Sequence, residues 1–431
     1  MSPHRYRWPA LALAIALTVA ACGGGTETPG ASPSPEASPS GAPSTPPASA
    51  ATSASPGSEG TAAEIVASLP KELAILYDQY AGTVTTAAYR DFQAPARPWK
   101  ICESESYQGN PWRVAVTEEL KRLAGAFQSA GLVSGFEMTD ANGDVALQIT
   151  HIQSFIDKGC DLILVIAASA TGLDQVIESA YRAGIPVISF AGAVTSPYAI
   201  NVDSNFYRWG YDMMKGICDR VPQGRFLAVD GIAGHPIVAQ EGAGRDAAHQ
   251  ASCPGLEMIG PVNGDWTPTT TKNVVLQTLA TNPSEIDAVW TTGSETRLVT
   301  EAFVQSGRPA PLVTGSISGD ALGYWHEHPD GFKFYGHAVL PIPTAQTAFR
   351  VGVRILEGQK PLLNTLLVPL PEVTQEHLAD WFAPCMTPDS GSIFPVPPSD
   401  PLPEDLMNAY FDGGAATPPF NYADTPKPCG R

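Results

Sequence analysis

From residue 23 to residue 60 the sequence contains no Val, Ile, Leu or aromatic residue, only Gly, Ser, Thr, Pro, Ala and three Glu. Without apolar side chains a segment cannot offset its own chain entropy, so a disordered tether is expected there rather than a structured stalk. As a flexible coil it would reach on the order of 35 Å. Basic residues are also scarce: 25 Lys and Arg against 43 Asp and Glu give a formal charge of −18. Such a surface repels phosphate groups, which argues against nucleic acid or anionic lipid headgroups as partners. No Cys-x-x-Cys pair and no Cys/His cluster with zinc spacing occurs, so no metal site is expected. Asp140-x-Asn142-x-Asp144 opens like a calcium loop, but Val145 stands where that loop needs glycine. The G-x-S-x-G, H-E-x-x-H and P-loop patterns are missing as well, so neither a catalytic residue nor a cofactor is assigned.

The longest apolar run, Trp8–Ala21, follows the short charged stretch His4–Arg7. It is too short for a transmembrane helix and has the length of a signal-peptide core. It ends in Val19-Ala20-Ala21-Cys22, followed by three glycines. Small residues before a cysteine resemble the bacterial lipobox, which implies cleavage after residue 21 and lipidation of Cys22. The expectation is an exported chain whose only contact with the membrane is this lipid anchor. Two or more acyl chains are needed for stable anchoring, since each buried methylene adds about 0.8 kcal/mol.

Beyond a helical extension expected over 61–98, short apolar runs alternate with helical patterns in two successive series. In the first, strands are expected at Lys100–Ser104, Val133–Thr139, Asp161–Ala167, Pro186–Phe190 and Ala199–Val202, with helices at Trp112–Ala130, Asp144–Lys158 and Leu173–Ala183. The pattern restarts with strands at Phe226–Asp230, Leu256–Val262, Ala288–Thr292, Leu312–Gly315 and Gly336–Leu340. Its helices are expected at Val238–Ala251, Thr270–Asn282, Glu295–Ser306 and Thr344–Leu356. Two βαβ series mean an α/β protein with two doubly wound parallel-sheet domains. The proline-rich tail, 369–431, is expected to add little core.

Apart from Cys22, six cysteines remain, an even number that suits disulfides in an exported chain although fifteen connectivities exist. Cys102 lies in the first strand and Cys160 just before the third, neighbours in a sheet ordered 2-1-3, so they are expected to pair. Cys218 and Cys253 would then pair, and Cys385 with Cys429 would close the tail.

Ligands of open α/β sheets bind outside the carboxyl ends of the strands. The first such loop reads Glu105-Ser106-Tyr107-Gln108-Gly109-Asn110-Pro111-Trp112-Arg113. Ser-x-x-x-Asn-Pro-Trp opening a helix resembles the first loop of the ribose-type periplasmic binding proteins (type I fold). The segments DLILVIAAS (161–169), AGIPVISF (183–190), INVDSN (200–205), DGIAG (230–234), GDWT (264–267) and RILEGQKP (354–361) match the same family in order. The resemblance implies two lobes, 99–203 with 340–368 and 204–339, joined by hinge crossings near Asp203, Leu340 and Val368. It implies a monomer that closes on a ligand and is then read by an ABC permease. A sensory receptor of the same fold, and an enzyme on a similar scaffold, stand beside the transport reading.

The side chains at these loops agree with a sugar-like ligand, whose apolar face and ring of hydroxyls call for flat aromatics and planar polar groups. The candidates are Ser106, Tyr107, Asn110, Trp112, Arg113, Asp203, Asp265, Trp266, Gly293, Glu295, Ser318 and Asp320. The resemblance gives Trp266 a stacking role. Trp112 is read as stacking or packing, Asp203 as a ligand contact or the cap of the next helix. Trp209, Trp290 and Trp325 are read as packing or rim residues. Several charged groups of the family pattern are absent: Ala191-Gly192 stands for Asp-Arg, Ala239-Gln240 for an arginine, Gly293-Ser294-Glu295 for Asn-Asp. A charged hydrogen bond contributes roughly 1.5–3 kcal/mol, so the ligand is expected to differ from ribose.

Overall fold

The computed structural model describes residues 60–412 and 420–430; the expected signal peptide, Cys22 and nearly all of the expected tether lie outside them. In the first lobe, strands β1 (Trp99–Glu105), β2 (Val133–Asp140), β3 (Leu162–Val165), β4 (Val187–Phe190) and β5 (Ala199–Asp203) form a parallel sheet with β12 (Thr365–Leu367). The order is β2-β1-β3-β4-β5-β12. The continuous apolar runs are explained by position, since every residue of β3 and β4 is buried. Helices Pro111–Ser129 and Pro341–Leu356 cover one face, and Val145–Asp157 with Asp174–Arg182 cover the other.

The second lobe repeats the plan with β6 (Gly224–Asp230), β7 (Leu256–Asn263), β8 (Ala288–Thr291), β9 (Leu312–Gly315), β10 (Lys333–His337) and β13 (Glu372–Thr374), ordered β7-β6-β8-β9-β10-β13. Only β13 runs antiparallel. The chain passes between the sheets after β5, after β10 and after β12. Among the described residues the disulfides are Cys102–Cys160, Cys218–Cys253 and Cys385–Cys429, the pairs expected.

Three expectations need correction. The strand expected at Gly336–Leu340 is β10, which ends at His337. The apolar run continues, but the Ala338 N–H donates to Pro371 O (2.8 Å) and the Val339 N–H to Ser316 Oγ (3.1 Å), outside the ladder. The following helix begins at Pro341, not Thr344, because prolines in a first turn lack only N–H groups that would be unpaired anyway. The tail, finally, adds substantial core. Val373, Leu378, Trp381, Met386 and Phe394 join the second lobe, whereas Leu402, Met407, Tyr410 and Phe411 join the first. Strand β14 (Phe411–Asp412) also pairs with β11 (Lys360–Pro361), and Arg350 holds Asp400 at 2.9 Å and Glu404 at 2.8 Å. The tail is thus a fourth connection between the lobes. Its apolar residues are spaced too irregularly among prolines to read as an element.

Residues 61–98 pack on the first lobe through Leu69, Leu73 and Tyr89. They cover the edge of β12: Asn364 N–H donates to Thr85 O (2.9 Å) and the Thr365 hydroxyl to Thr83 O (3.0 Å). A covered edge cannot recruit a foreign strand.

Candidate functional site

The strand carboxyl ends of both lobes, the crossings and the tail enclose one cleft. Of the residues singled out from sequence, Tyr107, Asn110, Trp112, Arg113, Asp203, Trp266, Gly293, Glu295, Ser318 and Asp320 lie on its wall. Ser106 and Asp265 do not. Ser106 sits behind the wall, and Asp265 serves as the turn residue that presents Trp266.

On the first lobe the polar groups are largely engaged with one another. Arg113 forms an ion pair with the fully buried Glu105 and donates to Ser106 Oγ (2.7 Å), while its guanidinium lies 4.5 Å from the Tyr107 ring centre. Burial raises the Glu105 carboxyl, and the Arg113 charge pulls it back. Asn110 is the helix cap: its Oδ1 accepts from the Arg113 N–H at 3.0 Å. The Trp112 indole N–H donates to Val339 O at 3.0 Å, so this ring bridges the lobes.

At the hinge, Asp203 is 4% exposed and its Oδ2 accepts from the Tyr80 hydroxyl at 2.7 Å. Its Oδ1 has no partner, and burial pushes the carboxyl up to about 6 despite the Tyr80 bond. The cap reading of Asp203 is corrected: Asn205 caps the next helix, accepting from the Arg208 N–H at 2.9 Å. Asn205 already reaches the required position, so Asp203 is left facing the cleft.

The second lobe is built around Trp266. Asp265 and Trp266 both take left-handed backbone angles, φ 55° and 51°. Such angles cost of order 1–3 kcal/mol each and persist where the surroundings enforce them. Here the indole N–H donates to Thr292 Oγ1 (3.3 Å), His235 stands edge-on at 5.3 Å, and Gly231 makes room, since a Cβ there would lie 2.1 Å from the ring. Thr292 in turn donates to Glu241 Oε2 at 2.9 Å. Glu241 is 1% exposed, its Oε1 has no partner, and burial raises its carboxyl well above the usual range. Glu295 is raised to about 7, by burial first and by Asp320 as well. Asp320 Oδ2 accepts from the Arg297 Nε–H at 2.8 Å.

Glu241 was missed in the sequence, where only Ala239-Gln240 drew attention. The available signal was the four-residue spacing of Ile237, Glu241 and Arg245, which sets all three on one helix face. Two glycines let that helix, Pro236–Ser252, approach Phe206–Arg220: a Cβ on Gly210 would meet Glu241 O at 2.1 Å, and one on Gly244 would meet Tyr207 O at 1.9 Å. Phe206 and Phe394 also line the cleft unforeseen. So does Trp209, read earlier as packing or rim; its N–H donates to His337 O at 3.1 Å. Among the described residues no group of three His, Cys, Asp or Glu is placed to hold a metal ion.

Two doubly wound lobes with a cleft at their strand ends define a type I solute-binding architecture. The chain belongs to the family of the periplasmic binding protein domain, which matches residues 105–360. It is 25% identical over 178 residues to the xylitol-binding protein of Mycolicibacterium smegmatis, covering 41% of this chain and 51% of that protein, about half its length. It is 22% identical over 238 residues to the D-xylose-binding periplasmic protein of Escherichia coli, covering 53% and 70%. A solved ABC transporter solute-binding protein from Thermobispora bispora superposes with a TM-score of 0.61 at 25% identity, over 68% of this chain and 90% of that one. The fold is that of sugar- and polyol-binding subunits of ABC transporters.

Proposed function

We propose that this chain is an exported, lipid-anchored receptor that captures a sugar-like small molecule in its cleft and delivers it to an ABC importer. The observation that carries this reading is the pairing of Trp266 with hydrogen-bonding carboxyl groups at the strand ends. A flat ring takes the apolar face of a sugar or polyol, and planar carboxyl groups take its hydroxyls. Relatives named for xylitol and D-xylose point to small polyhydroxylated ligands. Tyr107, Trp112 and Asp203 would complete the site, with lobe closure about the crossings as the signal to the permease. Cys22 would hold the receptor at the outer face of the membrane, with the tether giving it reach.

A thermal-shift screen of residues 60–431 against sugars, polyols and nucleosides tests the reading. A specific ligand at a hundred times its dissociation constant stabilises by about 2.7 kcal/mol. A shift with sugars or polyols is expected; a flat response across the panel would remove the sugar-like ligand.

A further inference from the structure

The arginines around the cleft all have carboxylate partners. Arg113 is held by Glu105, Arg245 by Asp230 and Asp246, and Arg297 by Asp320 and Glu301. Three cleft carboxyl groups, Asp203, Glu241 and Glu295, form no ion pair among the described residues; Arg245 faces Glu241 but is held by Asp230 and Asp246. Two of the three present a buried oxygen without any hydrogen-bond partner, Asp203 Oδ1 and Glu241 Oε1. An unpartnered buried oxygen is costly in the empty protein, so a ligand that supplies a donor there gains the whole difference.

Glu241 and Glu295 flank the same ring. Glu241 reaches the Trp266 indole through Thr292, and a Cβ built on Gly293 would lie 2.1 Å from Glu295 Oε2 and 3.5 Å from the Trp266 ring. An indole face with carboxyl groups beside it is the combination that holds an ammonium group, by ring quadrupole and by charge-assisted hydrogen bonds. A neutral sugar can stack on the ring and give its hydroxyls to these carboxyl groups, but it brings no positive charge to meet them when they ionise. We propose that the ligand is a polyhydroxylated molecule carrying a protonated amine, an amino sugar or a basic polyol, whose ammonium is taken by Glu241 and Glu295 beside Trp266. The proposal rests on the receptor reading above and names the class of its ligand.

A pH signature follows. The groups facing Glu241 are Asp230, Arg245 and Thr292; Asp320 faces Glu295; and Tyr80 faces Asp203. His235, edge-on to Trp266, is held toward its neutral form by burial and by Arg113. In the empty protein burial keeps the three carboxyl groups raised, so an ammonium ligand must displace protons from them. Its affinity therefore rises as pH rises through that range, with proton release on binding.

The test is titration calorimetry of residues 60–431 with matched probes: D-glucosamine, D-galactosamine and D-mannosamine, each beside its hydroxyl and N-acetyl counterparts, and 1-amino-1-deoxysorbitol beside sorbitol. At least one amine is expected to bind tenfold or more tighter than both uncharged counterparts at pH 7, and about tenfold weaker at pH 5. Repeating the titration in buffers of different ionisation heat should show proton release. Glu241→Gln and Glu295→Gln should each erase most of the preference for the amine over its hydroxyl counterpart; a preference kept in both variants would overturn the amine proposal. Neutral sugars binding as well as their amines would overturn the amine and leave the sugar receptor standing. Silence from every probe would overturn both.

Discussion

On the first-lobe wall of the cleft, Arg113 is bound to Glu105 and Ser106, Asn110 caps its own helix, and the Trp112 N–H is given to Val339. On the second-lobe wall Glu241 keeps an oxygen without a partner, Glu295 has no cation, and Trp266 is held in a left-handed turn. Both walls carry carboxyl groups and aromatics, and each leaves a buried carboxyl oxygen without a hydrogen bond, Glu105 Oε2 on the first and Glu241 Oε1 on the second; the difference is that Glu105 has an ion-pair partner in Arg113 whereas Glu241 and Glu295 have none among the described residues. Buried polar groups are ordinarily paired, and of the exceptions Asp203 Oδ1 and Glu241 Oε1 belong to residues that line the cleft. The first wall is a rigid platform, and the second, with Asp203 at the hinge, holds the carboxyl groups that form no ion pair.

Breaking the first wall should damage the fold more than the ligand. Arg113→Ala leaves Glu105 charged and buried alone, and removing one partner of such a pair costs about 3–5 kcal/mol. Urea denaturation should show that loss, and Glu105→Gln in the same chain should recover a good part of it. Additive losses would mean the pair is not coupled.

At the hinge the sign reverses. The Asp203 carboxyl is raised to about 6 when folded, so it binds its proton more tightly in the native state than in the unfolded chain. Its contribution is fully present below about pH 4 and disappears as pH rises through 6. Asp203→Asn should therefore be more stable than the parent at pH 7.5 relative to pH 4, by on the order of 3 kcal/mol. Parallel pH profiles for the two proteins would show that Asp203 does not titrate this way.

The second wall should lose affinity while the fold survives. Trp266→Ala should weaken a true ligand by tenfold or more, a loss of about 1.4 kcal/mol or greater. Gly231→Ala should approach that effect without touching the ring, because the added methyl claims the space of the indole. Unchanged affinity in both would take Trp266 out of the site. Smallest of all, Asn110→Ala should cost about 1 kcal/mol of stability through the lost cap, with affinity unaltered; a larger fall in affinity than in stability would restore Asn110 as a ligand contact.

Much of the fold was legible because its signals are local. Short runs such as Leu162–Val165, set between helical patterns, read as strands buried on both faces, and glycines such as Gly159 and Gly307 stop the helices before them. The Cys102–Cys160 disulfide followed from strand order, and Cys385–Cys429 from the position of its cysteines near the two ends of the tail. The site was legible only in part. Trp266 stood out in its loop, whereas Glu241 is an ordinary helical residue until two glycine-mediated helix approaches bring it to the cleft. Arg113 and Ser106 had the residue types of a sugar contact, but their partner Glu105 lies on the strand and its burial depends on the whole lobe. The tail was misread because its role depends on two surfaces far away in sequence.

Which wall the ligand satisfies would be decided by a crystal structure of residues 60–431 with the ligand found by titration. The prediction is a ligand stacked on Trp266 with donor atoms about 3 Å from Glu241 Oε1 and Asp203 Oδ1, and the Arg113–Glu105 pair intact. A ligand held by Ser106 and Arg113 with that pair broken, or one bound away from Trp266, would contradict it.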